Sequence, residues 1–178
     1  YVHVLNAEAM RHVPLVAAKA DFVAALQASD LPSTVIAPSG YFSDMGDFLA
    51  MARSGRFWLF APGTRRINPV HGADLAAAVH AATEAGLAWR DVGGPDTFTH
   101  QEIAQLAATA VGRKPRVTLL PDWTRRLALG LLPRVTPRRI HGPAQFFLTA
   151  MGLDMVGEAV GRHHLKDHFA RLVQEGAV

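Results

Sequence analysis

The sequence predicts an α/β fold, in which strands and helices alternate along the chain. Short runs of β-branched and aromatic residues, such as TVI at 34–36 and FWLF at 57–60, are separated by Ala-rich segments of helical length. Half of the 178 residues are apolar (49%) and only 19% are charged. This composition can bury a core and argues against disorder, and the length corresponds to about one ordinary domain.

The clearest element is a helix predicted at 14–29, which the Leu-Pro pair at 31–32 brings to an end. The apolar side chains predicted to share its buried face are Leu15, Phe22, Val23 and Leu26. Lys19 lies on that same face, four residues after Leu15. The β-branched run that follows is predicted to form a short buried strand, so the two elements make half of a βαβ unit.

Turn and cap residues delimit the later elements. In order, the sequence predicts a short helix ending at Gly55, strands at 56–62 and 64–70, a helix at 71–86, a strand at 89–95, a helix at 99–112, a strand at 116–121, and helices at 123–132, 142–156 and 163–176. Thr99 and Glu102 have the spacing of a capping box, and Asp74 falls in the first turn of its helix, where a negative charge suits the dipole. Asp122 is predicted to begin a helix that Pro133 ends.

Composition excludes several classes of protein. Because the sequence has no cysteine, it holds no disulfide scaffold, thiolate zinc site or cysteine nucleophile. No apolar run approaches 18 residues, and the first ten residues lack the pattern of a signal peptide, so we predict a cytoplasmic protein. The segment GGP at 93–95 is not followed by the rest of a dinucleotide fingerprint, and G-x-S-x-G is absent.

Positive charge is concentrated in one segment. Residues 113–139 contain eight Arg or Lys and a single acid, Asp122. Such a block can contact phosphates or an anionic membrane, and the alternative is an ordinary solvated basic face. We predict a possible peripheral contact with an anionic membrane through this segment and no nucleic-acid partner.

Three segments in a fixed order carry a resemblance to a known family. They are PLVAAKADFVAALQASDLPSTVIAPSGYFSDM at 14–45, INPVHGADLAAAV at 67–79 and DVGGPDTFTHQEIAQLAATAVGRKP at 91–115. This order resembles the C-terminal half of an atypical short-chain dehydrogenase/reductase of the NmrA-like, NAD(P)-binding kind. None of these motifs alone is specific for the family, but their occurrence in this order is.

The resemblance implies an architecture. It predicts the C-terminal half of a doubly wound Rossmann-type parallel sheet, with residues 1–92 belonging to the NAD(P)-binding domain and 93–178 forming a small, mostly helical substrate-side part. The family's N-terminal half carries the Gly-rich phosphate loop and takes on the order of 100 residues, as about three βα units. Since that loop is not in the sequence, we expect the chain to be a fragment; the alternative is a complete protein with a function of its own.

The resemblance also assigns Lys19 to a cofactor, NADP or NAD. In the family, a tyrosine four residues before this lysine exchanges a proton with the substrate, and the lysine holds the ribose hydroxyls of the nicotinamide nucleotide. Position 15 is leucine here, which has no proton to give. Lys19 is therefore predicted to keep the ribose role while the acid–base role at position 15 is lost; the alternative is a lysine that simply reaches water.

The turn after the first strand is the second predicted part of the site. By the resemblance, Pro38, Ser39 and Gly40 lie against the nicotinamide carboxamide, where a glycine allows close approach. Tyr41 and Phe42 are predicted to line the nicotinamide or substrate pocket, and Tyr41 is the nearest substitute for the missing acid. Ordinary packing of these two rings under the next helix is the alternative.

Histidines raise two further hypotheses. Histidine is the residue type commonly used to exchange protons near neutral pH, so His71 is a candidate substrate contact and proton donor, although a histidine at a helix start more commonly caps the helix. His164 and His168 have i, i+4 spacing beside His163, but the polar tail offers no third ligand set, so we predict no metal site.

Three functions remain open on the sequence. The first is an NAD(P)H-dependent oxidoreductase that reduces an unknown small carbonyl or alkene, inactive as an isolated fragment. The second is a non-catalytic NAD(P)-binding redox sensor or assembly factor, similar to the NmrA-type regulators or the accessory subunit of respiratory complex I, which the leucine at position 15 favours. The third is a membrane-surface protein. The oligomeric state is open.

Overall fold

Parallel strands form the centre of the fold. The computed structural model describes residues 1–176, and within them every side chain except that of Arg138. Its main sheet consists of β1 (Val35–Pro38), β4 (Trp89–Gly93) and β7 (Glu158–Ala159), parallel and in the order β1-β4-β7. The segment before the first helix extends this sheet, because Val2 forms a parallel bridge with Ile36. Neighbouring strands that are not consecutive in sequence require helical crossovers, which confirms the α/β prediction.

Two smaller strand pairs lie beside the main sheet. β2 (Phe57–Phe60) pairs in parallel with β6 (Val117–Leu120), and β3 (Arg66–Ile67) pairs in antiparallel fashion with β5 (Phe98–Thr99). Because β2 pairs with β6 and β4 with β7, hydrogen-bonded strands join residues on both sides of position 92. The division of the chain into 1–92 and 93–178 stays a prediction.

Helices cover these sheets. In the described part of the chain the α-helices are α1 (Pro14–Gln27), α2 (Gly46–Ser54), α3 (Gly72–Glu84), α4 (His100–Ala110), α5 (Asp122–Val135), α6 (Arg138–Ala150) and α7 (Leu165–Gln174), with short 3₁₀ turns at Glu8–Met10 and Phe42–Met45. The capping box of α4 forms as predicted, with the Thr99 side chain and the Glu102 side chain each accepting the other's backbone N–H. Within residues 1–176, none of these helices combines the length and the apolar character needed to cross a bilayer.

Three apolar clusters form the core. The largest lies among α2, β2, α4 and α7 and includes Phe48, Leu49, Phe57, Ile103 and Phe169. A second packs the N-terminal segment against α1 and includes Leu5, Met10, Val13, Val16 and Met155. A third lies between α3 and the main sheet and includes Ile36, Val70, Leu75, Ala78 and Val92. Together they fix α1, β1 and α3 relative to one another, and these elements surround the site described below.

The face predicted for α1 is buried only in part. Val23 is buried and Leu26 is partly buried, whereas Leu15 and Phe22 are about half exposed and the other buried residues of the helix are Val16 and Ala20. An Ala-rich helix with apolar side chains on nearly every side gives little contrast between faces, so its pattern could not select the correct one. The consequence is functional, because the exposed side that carries Leu15 and Lys19 borders a cavity.

Two predicted helix boundaries are also wrong. Pro133 lies inside α5, which continues to Val135. Proline removes one hydrogen bond, but the next turn still closes, since Thr136 N donates to Leu132 O at 3.0 Å. The helix predicted at 142–156 instead runs over Arg138–Ala150, with Pro143 inside it, and the residues beyond lead through turns to β7.

A buried polar junction connects β3, β4 and β7. Asn68 is almost fully buried; its Nδ2 donates to Gly94 O at 3.2 Å and Gly157 O at 2.9 Å, and its Oδ1 accepts from Gly157 N at 2.9 Å. A Cβ at Gly93 would overlap the Asn68 side chain, and one at Gly94 would overlap the Pro69 carbonyl oxygen. Gly93 and Gly94 therefore permit close packing of β4 and the turn after it against Asn68 and Pro69.

Asp74 forms a second buried polar contact next to this junction. One carboxylate oxygen accepts backbone N–H groups of Arg162 (3.1 Å) and His163 (3.0 Å), and the other contacts His163 Nδ1 at 2.8 Å. Burial raises the pKa of Asp74, but the hydrogen bonds from His163 and Arg162 outweigh it and leave the pKa below its ordinary value. We call the set Asn68, Asp74, Gly93, Gly94 and Gly157 the polar junction.

Candidate functional site

A cavity of about 470 Å³ opens at the carboxyl end of β1. Its walls come from the N-terminal segment, α1, the turn after β1, and α6. The predicted site residues that line it are Leu15, Lys19, Pro38, Ser39, Gly40 and Tyr41. The structure thus brings together both predicted parts of the site, which lie about twenty residues apart in sequence, at the sheet edge where ligands bind in open α/β folds.

Lys19 stands at the wall of this cavity, half-buried on α1. Its Nζ donates to Val2 O at 3.0 Å and lies 5.2 Å from the ring centroid of Tyr1, which holds the ammonium in place. An ammonium carries three N–H donors, and hydrogen bonds within the described residues use one of them. Leu15, one turn before it and 49% exposed, contributes only apolar surface.

The turn Pro38–Gly40 is fixed by backbone contacts. Ser39 N donates to Val92 O at 2.8 Å, and Ser39 Oγ donates to Asn68 O at 2.6 Å. The hydroxyl of Ser39 therefore ties the turn to the polar junction. Gly40 is also required locally, because a Cβ there would lie 3.0 Å from Ile67 Cδ1. The turn presents its backbone at the cavity in a rigid form.

Tyr41 and Asp44 stand together at the same cavity. Burial, and then the charge of Asp44, raise the pKa of Tyr41. Burial also raises the pKa of Asp44, against the lowering effect of hydrogen bonds from Tyr41 and Ser43. The pKa of each group therefore lies above its ordinary value, and the two groups are the hydroxyl and carboxyl at this part of the cavity that can exchange a proton with a ligand. Sequence reasoning identified Tyr41 and missed Asp44, whose only signal was its position in the turn after the strand.

Two buried histidines also line the cavity and were missed. His3 lies in the N-terminal segment and His100 at the start of α4. Burial, and then the charge of Lys19, lower the pKa of His3; burial lowers that of His100 despite Asp154. Within the described residues, His3 Nδ1 has no hydrogen-bond partner. The alternation of VHVL could have placed His3 inside a strand-like segment, but not at a cavity.

The remaining wall is apolar. It is formed mainly by side chains of α2, α6 and the segment before β7: Phe48, Phe146, Phe147, Met151 and Met155. An apolar wall opposite a lysine and a polar turn suits a ligand with one flat apolar part and one polar part.

Phe42 and His71 lie outside this cavity. Phe42 is buried, with its ring centroid 5.6 Å from that of His71 and 5.4 Å from that of His168. His71 caps α3, because its Nδ1 accepts from Ala73 N at 3.2 Å, and its ring stacks on His163 at 4.2 Å. These contacts are the packing and capping alternatives considered on the sequence.

The histidines near the C-terminus have separate partners. His163 contacts Asp74, His164 contacts Asp96 at 2.7 Å, and His168 packs against Phe42. Across residues 1–176, no group of three or more His, Asp or Glu side chains is arranged to hold a metal ion.

Comparison with known proteins identifies the fold. No family model matches the chain, and no curated protein does. Among solved structures, an NADPH-dependent quinone oxidoreductase of Escherichia coli complexed with NADPH is similar over 97% of this chain and 64% of its own, with a TM-score of 0.70 and 17% identity. The similarity to a nucleoside-diphosphate-sugar epimerase of Staphylococcus aureus covers 89% of this chain and 53% of that protein, with a TM-score of 0.56 and 14% identity. The similarity to the UDP-glucose 4-epimerase of Thermus thermophilus in complex with NAD covers 93% of this chain and 55% of that protein, with a TM-score of 0.51 and 19% identity.

These likenesses confirm the predicted Rossmann-type α/β fold. The chain spans between about half and two thirds of the length of these proteins. Their fold is the one expected from the order of motifs in the sequence.

Proposed function

We propose that the chain provides the nicotinamide side of an NAD(P)H-binding oxidoreductase of the atypical short-chain dehydrogenase/reductase class, which reduces a small carbonyl or alkene. The observation that carries the proposal is the single cavity in which Lys19, the Pro38–Gly40 turn and an apolar wall meet at the carboxyl end of β1. Solved structures of the same fold with bound NADPH or NAD support it.

The residues fit the nicotinamide half of such a cofactor. Within the described residues, one of the three N–H groups of Lys19 Nζ is hydrogen-bonded. The other two can donate to two ribose hydroxyls, and the backbone of Gly40 can hydrogen-bond to a carboxamide. The cofactor, when bound, supplies a hydride. The sequence contains no Gly-rich phosphate loop, so this chain by itself offers no cradle for the pyrophosphate.

Tyr41 would supply the proton in this proposal. Its phenol is protonated at neutral pH, and it lies at the cavity that Leu15 leaves without an acid. A tyrosine at position 41 therefore takes the place of the one the family carries at position 15.

A non-catalytic NAD(P)-binding sensor or assembly factor is the second candidate. The leucine at position 15 is the observation that favours it, because Leu15 lines the cavity without a titratable group. The two candidates differ in outcome: turnover of NADPH with aldehydes or quinones, lost in Tyr41→Phe, supports the enzyme, whereas nucleotide binding without turnover supports the sensor.

The cofactor role of Lys19 is tested by titration with NADPH and with reduced nicotinamide mononucleotide, which needs no pyrophosphate loop. A charge-assisted hydrogen bond is worth about 1.5–3 kcal/mol, so Lys19→Ala should weaken binding roughly 10- to 150-fold. Leu15→Tyr removes no polar contact and should leave affinity nearly unchanged. Lys166→Ala, an exposed lysine on α7, is the matched control. Equal affinities for Lys19→Ala and the parent chain would refute the proposed cofactor site.

A further inference from the structure

The helix α5 exposes an apolar face to solvent. It has no fully buried residue, and its exposed positions follow helical spacing at Trp123, Arg126, Leu127, Gly130, Leu131 and Arg134. We call this set the outer face of α5. Trp123 is 63% and Leu127 is 58% exposed. A surface helix ordinarily turns its apolar stripe inward. Here Leu129 and Leu132 are partly buried on the inner side, and a second apolar stripe is exposed.

The inner side of the same helix is already occupied. It packs on α6, where Arg125 Nη1 donates to Leu148 O at 3.0 Å and Arg125 Nε contacts Asp122 at 2.7 Å. Rotating α5 to bury its leucines would break these contacts. Val135 and Ile140, both more than half exposed, continue the apolar surface around the end of α5 into α6. A contiguous exposed apolar surface of this kind marks an interaction site.

Charge indicates the chemistry of the partner. Eight of the chain's 18 Lys and Arg residues fall within 113–139, with one of its 15 acids, whereas the rest of the chain is net acidic. That acid, Asp122, is held between Arg125 and Arg126 at 2.7 and 2.8 Å. Arg134 and Arg139 are exposed at the far end of the same surface. One carboxylate faces two arginines here, and Arg134 adds a further charge, so the outer face of α5 combines apolar side chains with a net positive charge.

We propose that the outer face of α5 docks in the plane of an anionic lipid bilayer. Trp123, Leu127 and Leu131 enter the boundary between headgroups and acyl chains, and Arg126 and Arg134 contact lipid phosphates. A tryptophan with leucines on one side and arginines at the border is the composition of interfacial helices. This proposal does not depend on the bound cofactor or on catalysis, since α5 lines no part of the cavity.

The test is co-sedimentation of the 178-residue chain with vesicles of phosphatidylglycerol and phosphatidylcholine, and with phosphatidylcholine alone. We expect binding to the anionic vesicles that falls on the order of tenfold or more between low and high salt. Arg126→Gln with Arg134→Gln should weaken binding on the order of tenfold, and Leu127→Glu with Leu131→Glu should abolish it. Leu31→Glu, a control at a 67% exposed leucine after α1, should bind like the parent chain.

Tryptophan emission locates the contact. Anionic vesicles should shift the emission to shorter wavelength. Trp123→Phe should remove the shift, and Trp58→Phe, at a ring that is 50% exposed, should keep it. Retained binding by the Leu127→Glu, Leu131→Glu chain would overturn the proposal, as would equal binding to neutral and anionic vesicles. So would a concentration-dependent dimer that Leu127→Glu dissociates, with no vesicle binding, because a second copy would then cover this face.

Discussion

The polar junction and the outer face of α5 are opposites in the same chain. In the junction, polar side chains are buried and each is hydrogen-bonded, as with Asn68 and Asp74. On the outer face of α5, apolar side chains such as Trp123 and Leu127 are exposed. Buried polar groups destabilise the folded state unless they are hydrogen-bonded, whereas exposed apolar side chains contribute little to the free energy of folding.

The difference indicates that the polar junction contributes to stability and that the outer face of α5 is available for contact with a partner. The junction ties β3 to β4 and β7 and, through Ser39, fixes the turn at the cavity. The side chains on the outer face of α5 are exposed and line no part of the cavity. Substitutions should therefore separate the two regions: large losses of stability in the junction, and almost none on the face.

The largest effect is expected at Gly94. A Cβ there would overlap the Pro69 carbonyl oxygen, and a backbone atom cannot move aside cheaply, so Gly94→Ala should cost about 3 kcal/mol or more in the free energy of unfolding. At Gly130, on the outer face of α5, an added Cβ meets nothing within 4 Å, so Gly130→Ala should stabilise the chain by about 0.5–1 kcal/mol. Urea unfolding measures both, and equal effects at the two glycines would contradict the contrast.

Asn68→Ala should come next, at about 2–3 kcal/mol. The change removes three side-chain hydrogen bonds and leaves the buried backbone groups of Gly94 and Gly157 without them. It should also loosen the turn at the cavity, which is measured as faster amide hydrogen exchange at Ser39 and Gly40. Exchange that accelerates equally throughout the chain would show that Asn68 acts on global stability alone.

Asp74→Asn should cost about 2 kcal/mol at neutral pH, and the cost should depend on pH. The native pKa of Asp74 lies below its unfolded value, so its stabilisation is present above the unfolded pKa and is lost as pH falls through the native one. Denaturation curves of the two chains should therefore converge in the acidic range below about pH 4. A difference that stays constant from neutral to acidic pH would rule out an ionised Asp74.

The elements of this fold could largely be predicted, because alternation, capping boxes and turn glycines are local signals. The α4 cap at Thr99 is one case. The buried side of α1 could not be predicted, since Val16 and Leu15 are both apolar and only tertiary packing distinguishes them. The helix end predicted at Pro133 was wrong because a proline near a helix end removes one backbone hydrogen bond, while the following residues can still form theirs.

The candidate site was predictable only in part. Lys19 and the turn Pro38–Gly40 meet at one cavity because a strand and its preceding helix are adjacent in a βαβ unit. His3 and His100 are about 100 residues apart and carry no local pattern that would join them. Phe42 and His71 were predicted to line the pocket and do not. Phe42 follows the cavity residue Tyr41 in sequence but is buried in the core, and His71 caps α3.

The smallest effect is expected at Leu131, where it is also the most informative. This side chain is half exposed on the outer face of α5, so Leu131→Ser removes little buried area and should change the free energy of unfolding by less than about 0.5 kcal/mol. Lipid contact is then the role that this proposal gives to an exposed leucine that contributes little to stability. If the same variant unfolds like the parent chain yet binds anionic vesicles several-fold more weakly, stability and interaction lie in different regions. A loss above about 1 kcal/mol would instead show that the outer face of α5 contributes to folding, and that the contrast with the polar junction is one of degree.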